Sequence, residues 1–169
     1  MTGGAMDKSI LTQNNNTEKV LYDIVGQFVK NQVNENVGLE YRTFFENKIK
    51  LNHLITSGLS YSIFETMQSN TPFSKDEWAS FLDISPKTLD RYKNSNKSFK
   101  ASQSEKIIGM IEVIKRGVEV FGEIEIFKRW LYVPIPAFSG TEPIELLSTS
   151  YGKELVLDEL TRIEHGIFA

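Results

Sequence analysis

Residues 74–94 read SKDEWASFLDISPKTLDRYKN, and this stretch decides the fold class. It begins with a capping box, in which the Ser74 hydroxyl and the Glu77 carboxylate each accept the backbone N–H of the other residue at the start of a helix. Ser85 and Pro86 mark the start of a second helix, because the first helical position needs no N–H and proline has none. The pattern predicts two short helices separated by a tight turn, and the second helix is expected to end at about Asn94.

Two helices joined in this way form the helix-turn-helix unit, whose second helix lies in the major groove of DNA. The unit needs a small residue where the helices cross, an apolar residue in the turn and an apolar anchor on the second helix. Ala79, Ile84 and Leu89 occupy these three places. Asp83 stands where most such units have glycine, and because aspartate adopts the left-handed conformation less readily than glycine, we expect a looser turn. An ordinary helical hairpin with a charged, solvated face fits the same spacing.

Elsewhere apolar residues recur at steps of three and four, which is the spacing of helices, and no strand pattern or repeat is visible. A second capping box at Ser102 and Glu105 predicts a long helix that ends at Gly122. The apolar stretch from Phe44 to Leu54 fits either a helix or a strand. The sequence predicts an all-α fold with one boundary between domains near Gly122. Further helices are expected from Thr17 past Val29, from Tyr61 to Gln68 and after Pro143. Two more are expected with named residues inward: a short helix with Phe127, Trp130 and Leu131, and a last helix from Thr149 or Ser150 to Gly166 with Leu155, Val156, Leu160 and Ile163.

Composition excludes several classes of protein and site. The 169 residues include no cysteine and only two histidines, so we expect no disulfide scaffold, thiol nucleophile or histidine-rich metal site. No apolar run approaches the roughly 20 residues of a membrane span and no signal sequence is present, so we expect a cytoplasmic protein without membrane association. Neither a catalytic-triad spacing nor a phosphate-binding glycine loop occurs. We therefore expect no enzyme activity, no cofactor and no metal.

Charge is distributed unevenly along the chain, although the net charge is only −3. Residues 87–106 carry six bases against two acids, and residues 140–169 carry two bases against six acids. A basic segment that overlaps the second helix of the unit favours a polyanionic partner. Arginine can bind guanine through two hydrogen bonds, while lysine, serine and threonine commonly contact phosphates. The candidate DNA-binding residues are Ser85, Lys87, Thr88, Arg91, Lys93 and Lys97.

The C-terminal third carries five short patterns in order: V-F-G at 120–122, W-L-x-x-P at 130–134, G-x-x-P-x-x-L-L at 140–147, T-x-x-G at 149–152 and L-x-R-I-x-x-G at 160–166. Together they resemble the toxin-binding domain of the Xre/MbcA/ParS-type antitoxins. Upstream, the segment from Gly58-Leu59 to S-P-K-T-L-D-R at 85–91 resembles the Xre-like helix-turn-helix domain of the same family. The resemblance covers residues 50–169.

This resemblance implies an antitoxin of a type II toxin–antitoxin system, whose partner is a RES-type toxin, an NAD-consuming enzyme. It implies that the C-terminal helix and tail cover the toxin's active site, and that the helix-turn-helix binds operator DNA to regulate the antitoxin's own operon. Ile167 and Phe168 either fold back onto the core or remain available to the toxin. The toxin-binding residues expected on this basis are Arg162, Glu164, His165, Gly166, Ile167, Phe168 and Ala169.

The alternative is a transcription factor of the same lineage that has no toxin partner and uses its C-terminal domain for oligomerisation. A homodimer is expected in either case, because one recognition helix with few phosphate contacts binds weakly at physiological salt and two-fold DNA sites match two-fold proteins. The helix around Leu21 to Val29 is a candidate for the dimer interface, or else it covers the core. With a toxin, the dimer would form a hetero-oligomer.

The expected domain organisation has four parts. These are a tag remnant and flexible lead-in at 1–16, an N-terminal helical extension at 17–57, a helix-turn-helix DNA-binding domain at 58–121 and a toxin-binding domain at 122–169.

Overall fold

The computed structural model describes residues 48–69 and 71–166, with Lys50 described by its backbone alone. The regular structure of these residues is entirely helical, which confirms the predicted all-α class. The predicted helix from Thr17 and residues 167–169 lie outside this part of the chain. The eight α-helices described are α1 Lys48–Ser57, α2 Tyr61–Ser69, α3 Lys75–Phe81, α4 Pro86–Ser95, α5 Ala101–Phe121, α6 Ile124–Leu131, α7 Pro143–Leu146 and α8 Ser150–Glu164, with a 3-10 turn at Pro136–Phe138.

The two helices predicted from the opening stretch are α3 and α4. Glu77 donates its backbone N–H to the Ser74 hydroxyl at 3.2 Å, and Ser74 donates its own N–H to the Glu77 carboxylate at 2.7 Å, so the capping box is confirmed. Ser85 caps α4 by accepting the N–H of Thr88 at 3.1 Å, with Pro86 at the first helical position. Local sequence signals therefore set both helix starts.

The turn between α3 and α4 is closed by hydrogen bonds of normal length. Asp83 adopts a left-handed φ of 56°, and the N–H of Ile84 donates to the carbonyl of Ala79 at 3.0 Å. The expectation of a looser turn is therefore wrong, because the short polar side chain of aspartate tolerates this conformation. Ala79 and Leu89 are buried where the helices cross, and Ile84 is half-buried.

The long helix α5 begins earlier than predicted. Its first residue is Ala101, and the backbone N–H of Lys100 donates to the side-chain oxygen of Gln103 at 3.2 Å. The predicted capping box of Ser102 and Glu105 is therefore wrong. The side-chain amide of Gln103 makes the contact with the helix start that was expected from Glu105. The helix has therefore already begun at Ser102, where the second capping box was expected.

Ser104 has a different role from a helix cap. Its hydroxyl is fully buried and accepts the backbone N–H of Leu59, just ahead of α2, at 2.9 Å. This contact joins the start of α5 to the start of α2 across 45 positions of sequence.

At its other end, α5 stops at Gly122 as predicted. Gly122 has φ 78°, and its N–H donates to the carbonyl of Val118.

An aromatic cluster forms the core around the helix-turn-helix. The ring centroid of Phe64 in α2 lies 5.2 Å from that of Trp78 in α3 and 5.0 Å from that of Phe99, both in edge-to-face geometry. All three rings are buried, and such pairs stabilise a core beyond the area that they bury. Helix α4 packs on α2 and α3 through Leu89 and Tyr92, so its opposite face is left to solvent.

The C-terminal helices pack on the second half of α5. Helix α8 buries Gly152, Val156 and Leu160, which recur every four residues along one side. Leu155 and Ile163, which were expected inward as well, are half-exposed, because a stripe with this spacing is too narrow to include them. The same core continues from α1 to α8. None of the helices described is long and apolar enough to cross a membrane.

Helix α6 buries two of the three residues predicted to face inward. Phe127 and Leu131 are fully buried. Trp130 is half-buried and stacks on the ring of Phe127, with centroids 6.0 Å apart.

Thr149 caps α8, because its hydroxyl accepts the N–H of Gly152 at 3.0 Å. This contact decides between Thr149 and Ser150, the two caps considered for α8.

Candidate functional sites

Four of the six candidate DNA-binding residues lie together on the outer face of α4. Ser85, Lys87, Thr88 and Arg91 line a shallow depression of about 550 Å³, which we call the recognition surface. The side chains are exposed except that of Thr88, which is half-buried. The helix therefore presents a polar face to solvent, as a helix that enters the major groove must.

The other two candidates lie away from this surface. The ammonium of Lys93 is 2.6 Å from a carboxylate oxygen of Glu65 in α2, and this hydrogen bond raises the pKa of the lysine. The ammonium of Lys97 lies 5.4 Å from the centre of the Tyr92 ring, at the distance of a cation–π contact. To reach a phosphate, Lys93 has to leave its ion pair.

An acidic side chain on the same surface is neutralised within the protein. Asp90 lines the recognition surface, and both of its carboxylate oxygens lie 2.7 Å from the ammonium of Lys75, the first residue of α3. Both side chains are about half exposed, so the pair contributes little to stability. Its effect is to remove a negative charge that would otherwise repel a phosphate backbone.

Besides Asp90, two residues of the recognition surface were not among the candidates. Asn94 and Ser95 line it one turn beyond Arg91. They were not chosen because the helix was expected to end at about Asn94, whereas α4 extends through Ser95. The signal available in the sequence was their spacing of three and four residues from Arg91, which places them on the same side of a helix.

The candidate toxin-binding residues lie at the end of α8, and one of them is held by α5. The guanidinium of Arg116 binds the carboxylate of Glu164, with one nitrogen–oxygen distance of 3.1 Å, and donates to Thr161 at 3.4 Å. The hydrogen bonds that Arg116 donates to Glu164 hold the pKa of Glu164 below its usual value and raise the pKa of Arg116. Glu164 thus attaches the end of α8 to α5.

The remaining described candidates make no contact with α5 that would hold them in the same way. Arg162 lies 3.2 Å from Glu159 one turn earlier on α8, and the imidazole of His165 is exposed. Gly166 adopts φ 67°, a left-handed conformation in which the chain leaves the helix axis. Ile167, Phe168 and Ala169 lie outside the described residues.

A further contact links the end of α6 to the start of the helix-turn-helix. The hydroxyl of Tyr132 donates a hydrogen bond to Glu77, the same carboxylate that completes the capping box of α3. Burial raises the pKa of Glu77, but the hydrogen bonds from Tyr132 and from Ser74 outweigh it, and the net pKa is lowered. Burial and the Glu77 carboxylate both raise the pKa of Tyr132. Sequence reasoning missed this pair because its members are 55 positions apart.

Two family models match consecutive parts of the chain. The model of the antitoxin Xre-like helix-turn-helix domain matches residues 50–112, which contain α3, α4 and the recognition surface. The model of the antitoxin Xre/MbcA/ParS C-terminal toxin-binding domain matches residues 116–166, from the last turns of α5 to the end of α8.

Curated relatives are similar over between about half and two thirds of the chain. A protein named Antitoxin Xre from Photorhabdus laumondii is 27% identical over 118 residues, which cover 69% of this chain and 80% of the relative. A protein named Prs ADP-ribosylating antitoxin from a Sphingobium species is 30% identical over 97 residues, 52% of this chain and 61% of that protein. An Antitoxin Xre from Yersinia enterocolitica is 27% identical over 116 residues, 68% of this chain and 78% of the relative.

The two family models match in the order helix-turn-helix domain, then toxin-binding domain, and both describe antitoxins. The relatives are named antitoxins as well. The chain belongs to the Xre/MbcA/ParS-type antitoxins of toxin–antitoxin systems, with a helix-turn-helix domain followed by a toxin-binding domain.

Proposed function

We propose that this antitoxin neutralises a RES-type, NAD-consuming toxin by covering its active site with α8 and the tail that follows, and regulates its own operon through α4. The observation that carries the proposal is the match of the toxin-binding domain to residues 116–166, which include the whole of α8 and end two residues after it. We infer that the tail beyond this match lies next to the bound toxin.

The packing of α8 suits it to support a plug. An enzyme that consumes NAD needs an open cleft that admits a dinucleotide, so an inhibitor that enters the cleft must be slender and rigidly held. Val156 and Leu160 are fully buried, and Arg116 holds Glu164 near the end of the helix. We infer that Glu164 fixes the end of α8 to α5 through its contact with Arg116, while Arg162 and His165 contact the toxin directly.

The proposed toxin chemistry rests on the resemblance to the family and on the name of one relative. That relative is named for ADP-ribosylation, a reaction in which NAD is the donor and is consumed. In the tail, Ile167 and Phe168 supply apolar side chains for the cleft. A buried aromatic at such a position commonly contributes about 2 kcal/mol or more to binding.

Operator binding is proposed for the recognition surface of a homodimer. A single α4 offers few phosphate contacts, and two copies on a two-fold site add their binding free energies. We infer that the segment from Leu21 to Val29 joins the two copies. Light scattering at tens of micromolar should give twice the chain mass, and a mass of one chain under those conditions contradicts the dimer.

Co-expression tests the neutralisation directly. The toxin encoded beside this antitoxin is induced alone, with the full chain, and with Arg91→Ala, and cellular NAD is measured along with co-purification. We expect NAD to fall with the toxin alone and to be preserved by both antitoxin forms, because Arg91 lies on α4 and not in the toxin-binding domain. A toxin that leaves NAD unchanged overturns the proposed chemistry, and a toxin that does not co-purify with the full chain overturns the partner.

A further inference from the structure

Most polar side chains of α4 are partnered within the protein. The Thr88 hydroxyl lies 2.9 Å from that of Ser85, and Asp90 binds Lys75. Lys93 binds Glu65 in α2, and the Ser95 hydroxyl donates to the backbone carbonyl of Arg91 at 2.8 Å. These groups are already satisfied and are poorly available to a ligand.

The remaining polar side chains form a separate group. Lys87, Arg91 and Asn94 are exposed, and none of their side chains has a hydrogen bond or ion pair with another residue in the described part of the chain. Their spacing of four and three residues places them in one stripe along α4. The helix therefore leaves one row of unsatisfied groups on the face that it turns to solvent.

The three members of this row differ in what they can recognise. Lys87 is a point charge in the first turn of α4, suited to a phosphate. Arg91 can donate two hydrogen bonds to guanine O6 and N7. Asn94 has an amide with one donor edge and one acceptor edge, which matches N7 and the N6 amino group of adenine in the major groove.

We propose that Asn94 reads an adenine, so that each half-site of the operator carries an A·T pair next to, or one step beyond, the G·C pair read by Arg91. The proposal rests on the proposed binding of DNA by α4. The two residues are about 4.5 Å apart along the helix axis, close to the ~3.4 Å spacing of base pairs. Asp90 lies one turn before Asn94 on the same surface, but both of its oxygens are bound by Lys75, which leaves Arg91 and Asn94 to read the bases.

A selected duplex provides the test, because the operator need not be known beforehand. The full chain selects sites from a randomised duplex library, and fluorescence anisotropy then measures the affinity of wild-type and variant chains for the selected duplex and for duplexes with single base-pair changes. The variants are Asn94→Ala, Arg91→Ala and, as a matched control, Asn52→Ala, an exposed asparagine on α1. Circular dichroism confirms that each variant is folded.

We expect Asn94→Ala to weaken binding to the selected duplex roughly 10- to 100-fold and to abolish the preference at one A·T pair only. Arg91→Ala should lose its preference at a neighbouring G·C pair, and Asn52→Ala should bind like wild type. Replacing the adenine with 7-deazaadenine removes the N7 acceptor, so it should weaken wild type about tenfold and leave Asn94→Ala unchanged.

Two outcomes overturn the assignment, and they are distinguishable. If Asn94→Ala weakens every duplex equally, or retains the preference for adenine, then Asn94 contacts the backbone or nothing and the assignment alone fails. If the wild-type chain binds no duplex above the non-specific level, the proposed DNA binding by α4 fails together with it.

Discussion

Gly117 allows α6 to lie against α5. A methyl group at this position would overlap the ring of Phe127, which is fully buried and has no room to move. We therefore expect Gly117→Ala to lower the free energy of unfolding by roughly 1–3 kcal/mol, the cost of overpacking a core, although alanine favours a helix by about 1 kcal/mol over glycine. Urea unfolding of both proteins measures the change.

A second glycine of the same helix serves as the matched control. A methyl group at Gly109 would meet only the end of the Lys153 side chain, at 3.1 Å, and a lysine can turn aside. Gly109→Ala should therefore leave stability unchanged or raise it by up to about 1 kcal/mol. Equal losses for the two variants would show that the Gly117–Phe127 contact is not what limits the packing.

The Arg116–Glu164 ion pair makes the stability of the fold depend on pH. The pKa of Glu164 is lower in the folded protein than in the unfolded chain, so the pair stabilises the fold above the usual carboxylate range and this contribution is lost as pH falls through the lowered value. Wild type should be more stable than Glu164→Gln at pH 7, and the difference should shrink below about pH 4.5. A difference that stays constant from pH 7 to pH 3 would contradict an ionic role for this contact.

Between elements, the contact of Tyr132 with Glu77 joins the end of α6 to the start of α3. Double-mutant cycles with Tyr132→Phe and Glu77→Gln should give a coupling free energy of about 1 kcal/mol, since a hydroxyl donates to a charged acceptor that also caps a helix. Tyr132→Phe with Asp76→Asn, a change at the neighbouring exposed carboxylate, is the control and should give additive effects. Additivity in the first cycle would mean that the hydrogen bond is not maintained in solution.

Element boundaries were predictable where the deciding contact is local. Ser74 and Glu77 are three residues apart, and the start of α3 followed from them alone. The start of α5 did not, because Gln103 rather than Glu105 reaches back to the helix start, and Ser104 is committed to Leu59 across 45 positions. A single sequence contains no information on such a distant partner.

The candidate sites show the same division between local and distant contacts. Helical periodicity placed Lys87 and Arg91 on one exposed face of α4, and the structure brings them together. Lys93 was chosen for its charge, but its partner Glu65 lies on another helix, 28 positions earlier in the chain. A charged residue at the edge of a helix face can pair with a neighbouring helix, and residue type alone does not reveal such a partner.

For the whole molecule, the two matched domains share one continuous core. Helix α5 extends into both matched regions, and residues from α1 to α8 pack in a single cluster. The family resemblance in the sequence indicated both domains and their order. It did not indicate how they are joined, because that depends on packing such as Phe127 against Gly117.

The central claim is that the chain beyond α8 silences the toxin while α8 supports it. Its most direct test is removal of Gly166 to Ala169, with removal of Thr2 to Ala5 as a control of equal length at the other end. Each form is co-expressed with the toxin, and NAD is measured together with co-purification, melting temperature and operator binding. We expect the C-terminal deletion to fold, bind DNA and retain some complex with the toxin, yet to allow NAD to fall as it does with the toxin alone, while the control deletion preserves NAD. Full protection of NAD by the C-terminal deletion would contradict the account and leave occlusion by α8 itself as the mechanism.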